Sequence, residues 1–128
     1  MGQNNAQFEQ LLLQWEDSYK KGLLSFWMLL LLHGRTTYAY EMTAMIADMS
    51  RGTVVADEKS IYRALKRFEE NGIVQSQKQS SDIGPPRRYY RLTPLGEQLL
   101  ARFIERNIRV FAQPDVAAAI DSVTNGGL

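Results

Sequence analysis

The sequence predicts a mainly α protein with one small β-hairpin, and three observations carry that prediction. Apolar residues recur at three- and four-residue spacing along most of the chain, the period of helices with a buried face. Between Ile73 and Leu92 the pattern turns extended and is interrupted by the turn-forming run SSDIGPP, which reads as two strands and their connection. Gly34, Gly72 and the Thr93-Pro94 pair stand where helices stop and start.

At 128 residues the chain is expected to form a single domain with a modest core. Hydrophobic and charged contents of 45% and 23% exclude wholesale disorder. Cysteine is absent, which excludes a disulfide framework, a thiol nucleophile and a Cys-based zinc site. With one histidine, no glycine-rich phosphate loop and no acidic cluster at ligand spacing, no catalytic residue, cofactor or metal ligand is assigned, and an enzyme is not expected. The longest apolar run, Leu23 to Leu32, is about half of the ~20 residues a membrane crossing needs. The start, MGQNNAQFEQ, lacks the basic and apolar regions of a signal peptide. A cytoplasmic protein without a membrane partner is expected.

Taken in order, Phe8, Leu11, Leu12, Trp15 and Tyr19 mark an amphipathic helix over residues 6–20, its other side Gln, Glu and Asp. Gly22 is expected to separate it from a second helix, GLLSFWMLLLLHG, which is apolar almost all round and so buried on several sides. His33 falls in its last turn, where a cation suits the helix dipole, and no ligating partners are visible for it. Thr37 is then expected to cap a helix marked by Tyr38, Met42, Met45, Ile46 and Met49 and ending near Ser50. Methionines at this spacing either fill a core or line a pliable pocket. Val54-Val55 are expected as a short strand. Beyond the hairpin, Ile73–Gln79 and Arg88–Leu92, Thr93 caps a helix with Pro94 at its first position. That helix is expected to run to Phe111, to break at Gln113-Pro114, and to be followed by a short helix over Asp115–Val123 and a loose end, TNGGL. The expected organisation is one domain over 1–128, with a core over 22–93 and C-terminal helices over 94–123.

The rest is arranged around Asp57–Asn71, DEKSIYRALKRFEEN. At 100° per residue Ile61, Ala64, Leu65 and Phe68 fall on one stripe, and Lys59, Tyr62, Arg63 and Lys66 on the other. Asp57 reads as the N-cap, accepting from the backbone N–H of Lys59 or Ser60, and Gly72 as the left-handed residue after the end. By itself such a helix is either a solvated charged face or a helix laid along phosphates. Net charge is only +1, but it is uneven: Arg51 to Leu92 holds nine Lys or Arg (51, 59, 63, 66, 67, 78, 87, 88, 91) against five acids (57, 58, 69, 70, 82), leaving −3 elsewhere. Small helices, a basic helix and a hairpin in that order form a winged helix-turn-helix, with an extra N-terminal helix before it and a further long helix after it. Lys78, Arg87 and Arg88 lie on the hairpin, the second element that such a fold presents to DNA.

The segments LLSFWMLLLLHG, YAYEM, SIYRALKRFEENGIV and GPPRRYYRLTPLG, within Leu23 to Leu100, resemble the PadR-like family of transcriptional regulators. The resemblance implies a dimeric winged-helix repressor whose helix after the wing supplies dimer contacts, and which in many members responds to aromatic or drug-like molecules. Carried over by position, it implies that Tyr62 is the recognition-helix tyrosine, that Lys59 and Ser60 form the base-facing first turn, and that Arg63 and Lys66 contact the backbone. Arg87, Arg88 and Tyr89 match the wing. Ala39 stands where the family commonly has glycine, and Phe68 where leucine is commoner.

Surplus apolar surface points independently to a homodimer through Phe8, Leu12, Trp15, Leu100, Phe103, Ile104, Ile108 and Phe111. The two recognition helices of such a dimer would read a pseudo-palindromic operator in double-stranded DNA. Trp15, Trp27 and Phe103 either line a pocket for a small aromatic effector or simply fill core and interface. The competing function from another class is a winged-helix protein-interaction module without DNA binding.

Overall fold

The computed structural model describes residues 2–80 and 84–126. Helix α1 runs unbroken from Gly2 to Leu32, so the boundary expected at Gly22 does not exist. A helical glycine costs only about 1 kcal/mol relative to alanine, too little to end a helix flanked by Lys20, Lys21, Leu23 and Leu24. The turn before it is also braced by i,i+4 pairs with the acid N-terminal, Glu16 to Lys20 at 3.9 Å and Asp17 to Lys21 at 3.0 Å.

Thr37–Tyr38 form a short strand, β1, ahead of α2 at Ala39–Met49. Thr37 is therefore not the cap expected for α2. It is buried and pairs with Tyr90 instead, while the N-cap position falls to Tyr38 without a side-chain hydrogen bond. The strand expected at Val54-Val55 is absent. Ser50 occupies both backbone groups of Val54, its Oγ accepting from the N–H at 3.0 Å and donating to the carbonyl at 3.3 Å, which leaves no ladder for a partner strand. Helix α3, Glu58–Glu70, and the strands β2, Val74–Gln79, and β3, Arg87–Leu92, follow. All pairings are antiparallel, in the order β1-β3-β2, so β3 is central and the wing is part of a three-stranded sheet. Ser81–Ile83 of the expected wing tip lie outside the described residues.

Helix α4, Pro94–Phe103, is capped by Thr93, whose Oγ1 accepts from the N–H of Gly96 at 3.1 Å. The chain stays helical to Ala112, but as a wide π turn over Ile104–Ile108 and a tight 3₁₀ turn over Arg109–Ala112 rather than as one α-helix to Phe111. The Asn107 amide donates to the Phe103 carbonyl at 3.2 Å, competing for the acceptor of a regular turn. After the extended Gln113, α5 spans Pro114–Asp121 and passes into a second wide turn, Ser122–Gly126, where a loose end was expected. Gly127 and Leu128 lie outside the described residues. Among the described residues no helix is long and apolar enough to cross a membrane.

The core joins Met28, Leu31 and Leu32 of α1, Met42 and Ile46 of α2 and Ile61 and Leu65 of α3, all almost fully buried. Met45 and Met49 pack at its margin, so the methionines of α2 fill the core. Two ties fix where the wing leaves it. The first is the end of α3, where Gly72 is left-handed at φ +74°, its N–H donating to Glu69 and that of Ile73 to Phe68 at 3.1 and 2.8 Å, the paired bonds of a Schellman cap. The second is Thr93, whose N–H donates to the Ile73 carbonyl at 3.1 Å and whose hydroxyl lies 2.6 Å from the Gly72 carbonyl.

Gly96 sits where α4 meets that junction, and a Cβ there would collide with the Ile73 carbonyl and crowd Leu92. Since the obstacle is backbone, Gly96→Ala should destabilise the fold by about 1–3 kcal/mol, read as a lower urea midpoint at unchanged slope. Asp57 gives a pH-dependent test. Its carboxyl is held below 3.8 chiefly by the hydrogen bond from the Ser60 backbone and then by the Ser60 side chain. A carboxyl lowered in the folded state contributes stability that is full above its unfolded pKa and is lost as pH falls through the folded one. Asp57→Ala should therefore lower the melting temperature at neutral pH, and the difference from wild type should shrink as pH falls below 3.8.

Candidate nucleic-acid interface

The pattern of α3 sets the site. Ile61, Ala64, Leu65 and Phe68 are all buried, the stripe expected from the sequence, and this turns Lys59, Tyr62, Arg63 and Lys66 outward. The N–H of Ser60 donates to Asp57 Oδ1 at 2.7 Å, so of the two N–H groups expected for the cap it is that of Ser60. The Ser60 side chain is half-buried and lines a cleft of about 260 Å³ with Asp17, Lys20 and Lys21 of α1. In the protomer this first turn thus faces α1 at Ser60 and solvent at Lys59.

Tyr62 of α3, Lys78 of β2 and Arg87 and Arg88 of β3 line one groove of about 620 Å³ together with Tyr38, Ala39, Tyr40, Pro85 and Pro86. Lys78 and Arg88 are directly paired across the strands. Like charges in that position destabilise a hairpin, and only part of the cost is offset inside the protomer. Arg88 donates to Ser76 Oγ at 3.0 Å, and Ser76 donates to Glu69 of α3 at 2.6 Å. Arg87 lies over the Tyr38 ring at 4.5 Å. A groove that brings cations together at a cost is chemically suited to an anionic ligand, and its tyrosines add flat faces and hydroxyl donors.

Tyr89 is placed elsewhere. It meets Tyr38 edge-on at 5.3 Å and lines a shallow polar depression on the outer face of the sheet with Gln75, Gln77, Gln79 and Arg91. Tyr38 and Tyr40 are the groove residues that sequence reasoning missed. The signal was the run Thr-Thr-Tyr-Ala-Tyr, rich in β-formers and continuing into α2. His33, for which no partner was visible, is exposed and lies 2.8 Å through Nδ1 from Glu97 of α4.

Of the residues expected at an interface between copies, Phe8, Leu12, Trp15, Phe103 and Phe111 are exposed, and Ile104 and Ile108 are half-buried. Leu100, 4% exposed, is part of the protomer core. Trp15, Trp27 and Phe103 do not converge within one protomer. Trp15, 75% exposed, lies roughly 18 Å along α1 from Trp27 at 1.5 Å per residue. Trp27 is half-buried, with its indole N–H enclosed and unpartnered among the described residues. Phe103 stacks on Phe26 at 5.9 Å and borders an apolar cavity of about 200 Å³ with Gly22, Phe68, Leu99 and Leu100.

Residues 28–102 match the model of the transcriptional regulator PadR-like family. A PadR-like transcription factor from Bacteroides fragilis is 28% identical, the match covering 73% of this chain and 87% of that one with a TM-score of 0.61. A PadR family transcriptional regulator from Eggerthella lenta shares the fold over 94% of this chain and 98% of its own, with a TM-score of 0.71 at 20% identity. Bacillus subtilis PadR, solved in complex with operator DNA, gives a TM-score of 0.60 at 22% identity, covering 64% of this chain and 46% of that one.

Proposed function

The chain belongs to the PadR-like family of transcriptional regulators, and from that premise we propose that it is a DNA-binding repressor that seats as a homodimer on a pseudo-palindromic operator. The observation that carries this reading is the groove lined by Tyr62 of α3 and by Lys78, Arg87 and Arg88 of the wing. Arg63, Lys66, Lys78 and Arg88 bind phosphates, a sequence-independent and salt-dependent contribution. Lys59 and Tyr62 present the base-reading surface along α3, since base edges and not phosphates carry sequence information. Repression follows from occupancy of the operator.

The homodimer rests on α1 and on the chain after α4. The first half of α1 exposes Phe8, Leu11, Leu12, Trp15 and Tyr19, and a helix of that length is marginal in water without a packed face. Phe103 and Phe111 continue the exposed apolar surface. A twofold dimer covers both and sets two α3 helices about one DNA turn, ~34 Å, apart. The site proposed for a small apolar or aromatic effector is the cavity bordered by Phe26, Phe68 and Phe103. Because Phe68 belongs to α3, a ligand there acts on DNA through differential affinity for two settings of that helix.

Titration of a labelled random duplex at ~50 and ~200 mM salt should show affinity falling about 10³-fold or more. Arg63→Ala should weaken binding to all sequences alike, whereas Lys59→Ala should change which sequence is preferred. Binding insensitive to salt, or none, would leave a protein-interaction module. Sedimentation at micromolar concentration should give a dimer, and Trp15→Glu together with Phe111→Glu should give monomers that bind DNA more weakly.

A further inference from the structure

We propose that Arg87 is a positioning residue, whose guanidinium stacks on Tyr38 to hold the wing at a fixed setting beside α3. The inference rests on reading the groove as the DNA interface. Arg87 opens β3, directly after the Pro85-Pro86 tip, and its guanidinium lies 4.5 Å from the centre of the Tyr38 ring. Tyr38 is the residue from which α2 starts, and it is the Cα partner of Tyr89, whose ring meets it edge-on at 5.3 Å with the planes 69° apart. Arg87, Tyr38 and Tyr89 therefore form a stack that ties the outer end of β3 to the root of α2.

The location of that stack gives it leverage. A two-stranded ribbon is marginal on its own, and here β1 spans only two residues, pairing with Tyr89 and Tyr90. The outer part of the wing, where Lys78 and Gln79 pair with Arg88 and Arg87, extends past the end of β1. There the like-charged Lys78–Arg88 pair pushes the strands apart. A planar cation on an aromatic face ties β3 to the start of α2 next to that pair. Stacking takes up the face of the guanidinium and leaves its edge N–H groups clear of the ring, so the salt dependence decides whether Arg87 also meets a phosphate.

A neutral substitution separates the two roles. In titrations of a labelled random duplex against salt, Tyr38→Leu removes no charge, yet it should lower affinity about tenfold and flatten the dependence of log affinity on log salt by about two phosphate contacts per protomer, those of Lys78 and Arg88. Tyr38→Phe keeps the ring and should restore both affinity and slope. Arg87→Lys keeps the charge without the planar face and should behave like Tyr38→Leu. Backbone amide exchange of the free protein gives a second measure: 76–79 and 87–90 should exchange faster in Tyr38→Leu and Arg87→Lys but not in Tyr38→Phe, at unchanged melting temperature. The proposal is overturned if Tyr38→Leu matches wild type in slope and exchange while Arg87→Ala alone flattens the slope, the signature of a direct phosphate contact. If the wild type shows no salt-dependent DNA binding, the interface reading fails, and exchange alone then decides whether the stack holds the wing.

Discussion

The burial of one face of α3 against α1 and α2 is the interaction on which the rest depends. Ile61 and Leu65 are fully enclosed among Met28, Leu31, Leu32, Met42 and Ile46, each worth about 1.5–3 kcal/mol relative to exposure. That packing fixes the rotation of α3 about its own axis. With Ile61, Ala64, Leu65 and Phe68 inward, Lys59, Tyr62, Arg63 and Lys66 have only the solvent side left. A polar side chain at Ile61 or Leu65 would both destabilise the core and release that rotation, so stability and function share the same residues.

The wing inherits its placement from α3. The Schellman cap at Gly72 turns the chain directly into β2, and Thr93 ties the far end of β3 to the same turn while starting α4. These bonds are short-range and backbone-directed, and so they set geometry more than they add stability. Closer to the tip, the aromatic and guanidinium contacts of Tyr38, Tyr89, Arg87 and Arg88 take over. The groove is thus built from the core outward, each layer holding the next, and the least supported layer carries the most charge. In that layer two like charges face each other, at Lys78 and Arg88.

Much of this was legible in the sequence because local chemistry decided it. The Asp57 and Thr93 caps, the left-handed Gly72 and the buried stripe of α3 depend on residues within one or two turns, and all are found as expected. What went unread depended on partners distant in the chain or on competition between neighbours. Thr37 looked like a cap because its pairing partner, Tyr90, lies 53 positions away. Val54 looked like a strand because Ser50 capturing both its backbone groups leaves no mark in periodicity. Gly22 carries the local mark of a stop, yet the spacing of Phe8, Leu12, Trp15, Tyr19, Leu23 and Phe26 runs through it without a shift. In the site, charge and order on the hairpin pointed to Lys78, Arg87 and Arg88, but which side of the sheet each neighbour takes needed the register. Tyr89 lines the outer depression with its register partner Tyr38 against it, and Tyr38 also borders the groove with Tyr40.

The buried stripe on α3 turns its basic side outward next to the wing, and the proposed function makes the two a single surface for DNA. Backbone amide NMR of the full chain, titrated with a short random duplex at low salt, tests it most directly. Shifts should concentrate in 57–67, in 76–79 and 84–91, and around Tyr40, with the amides of Ile61, Leu65, Met42 and Ile46 little moved. Shifts confined to the exposed half of α1 or to the chain after Phe103, with 57–67 silent, would contradict it.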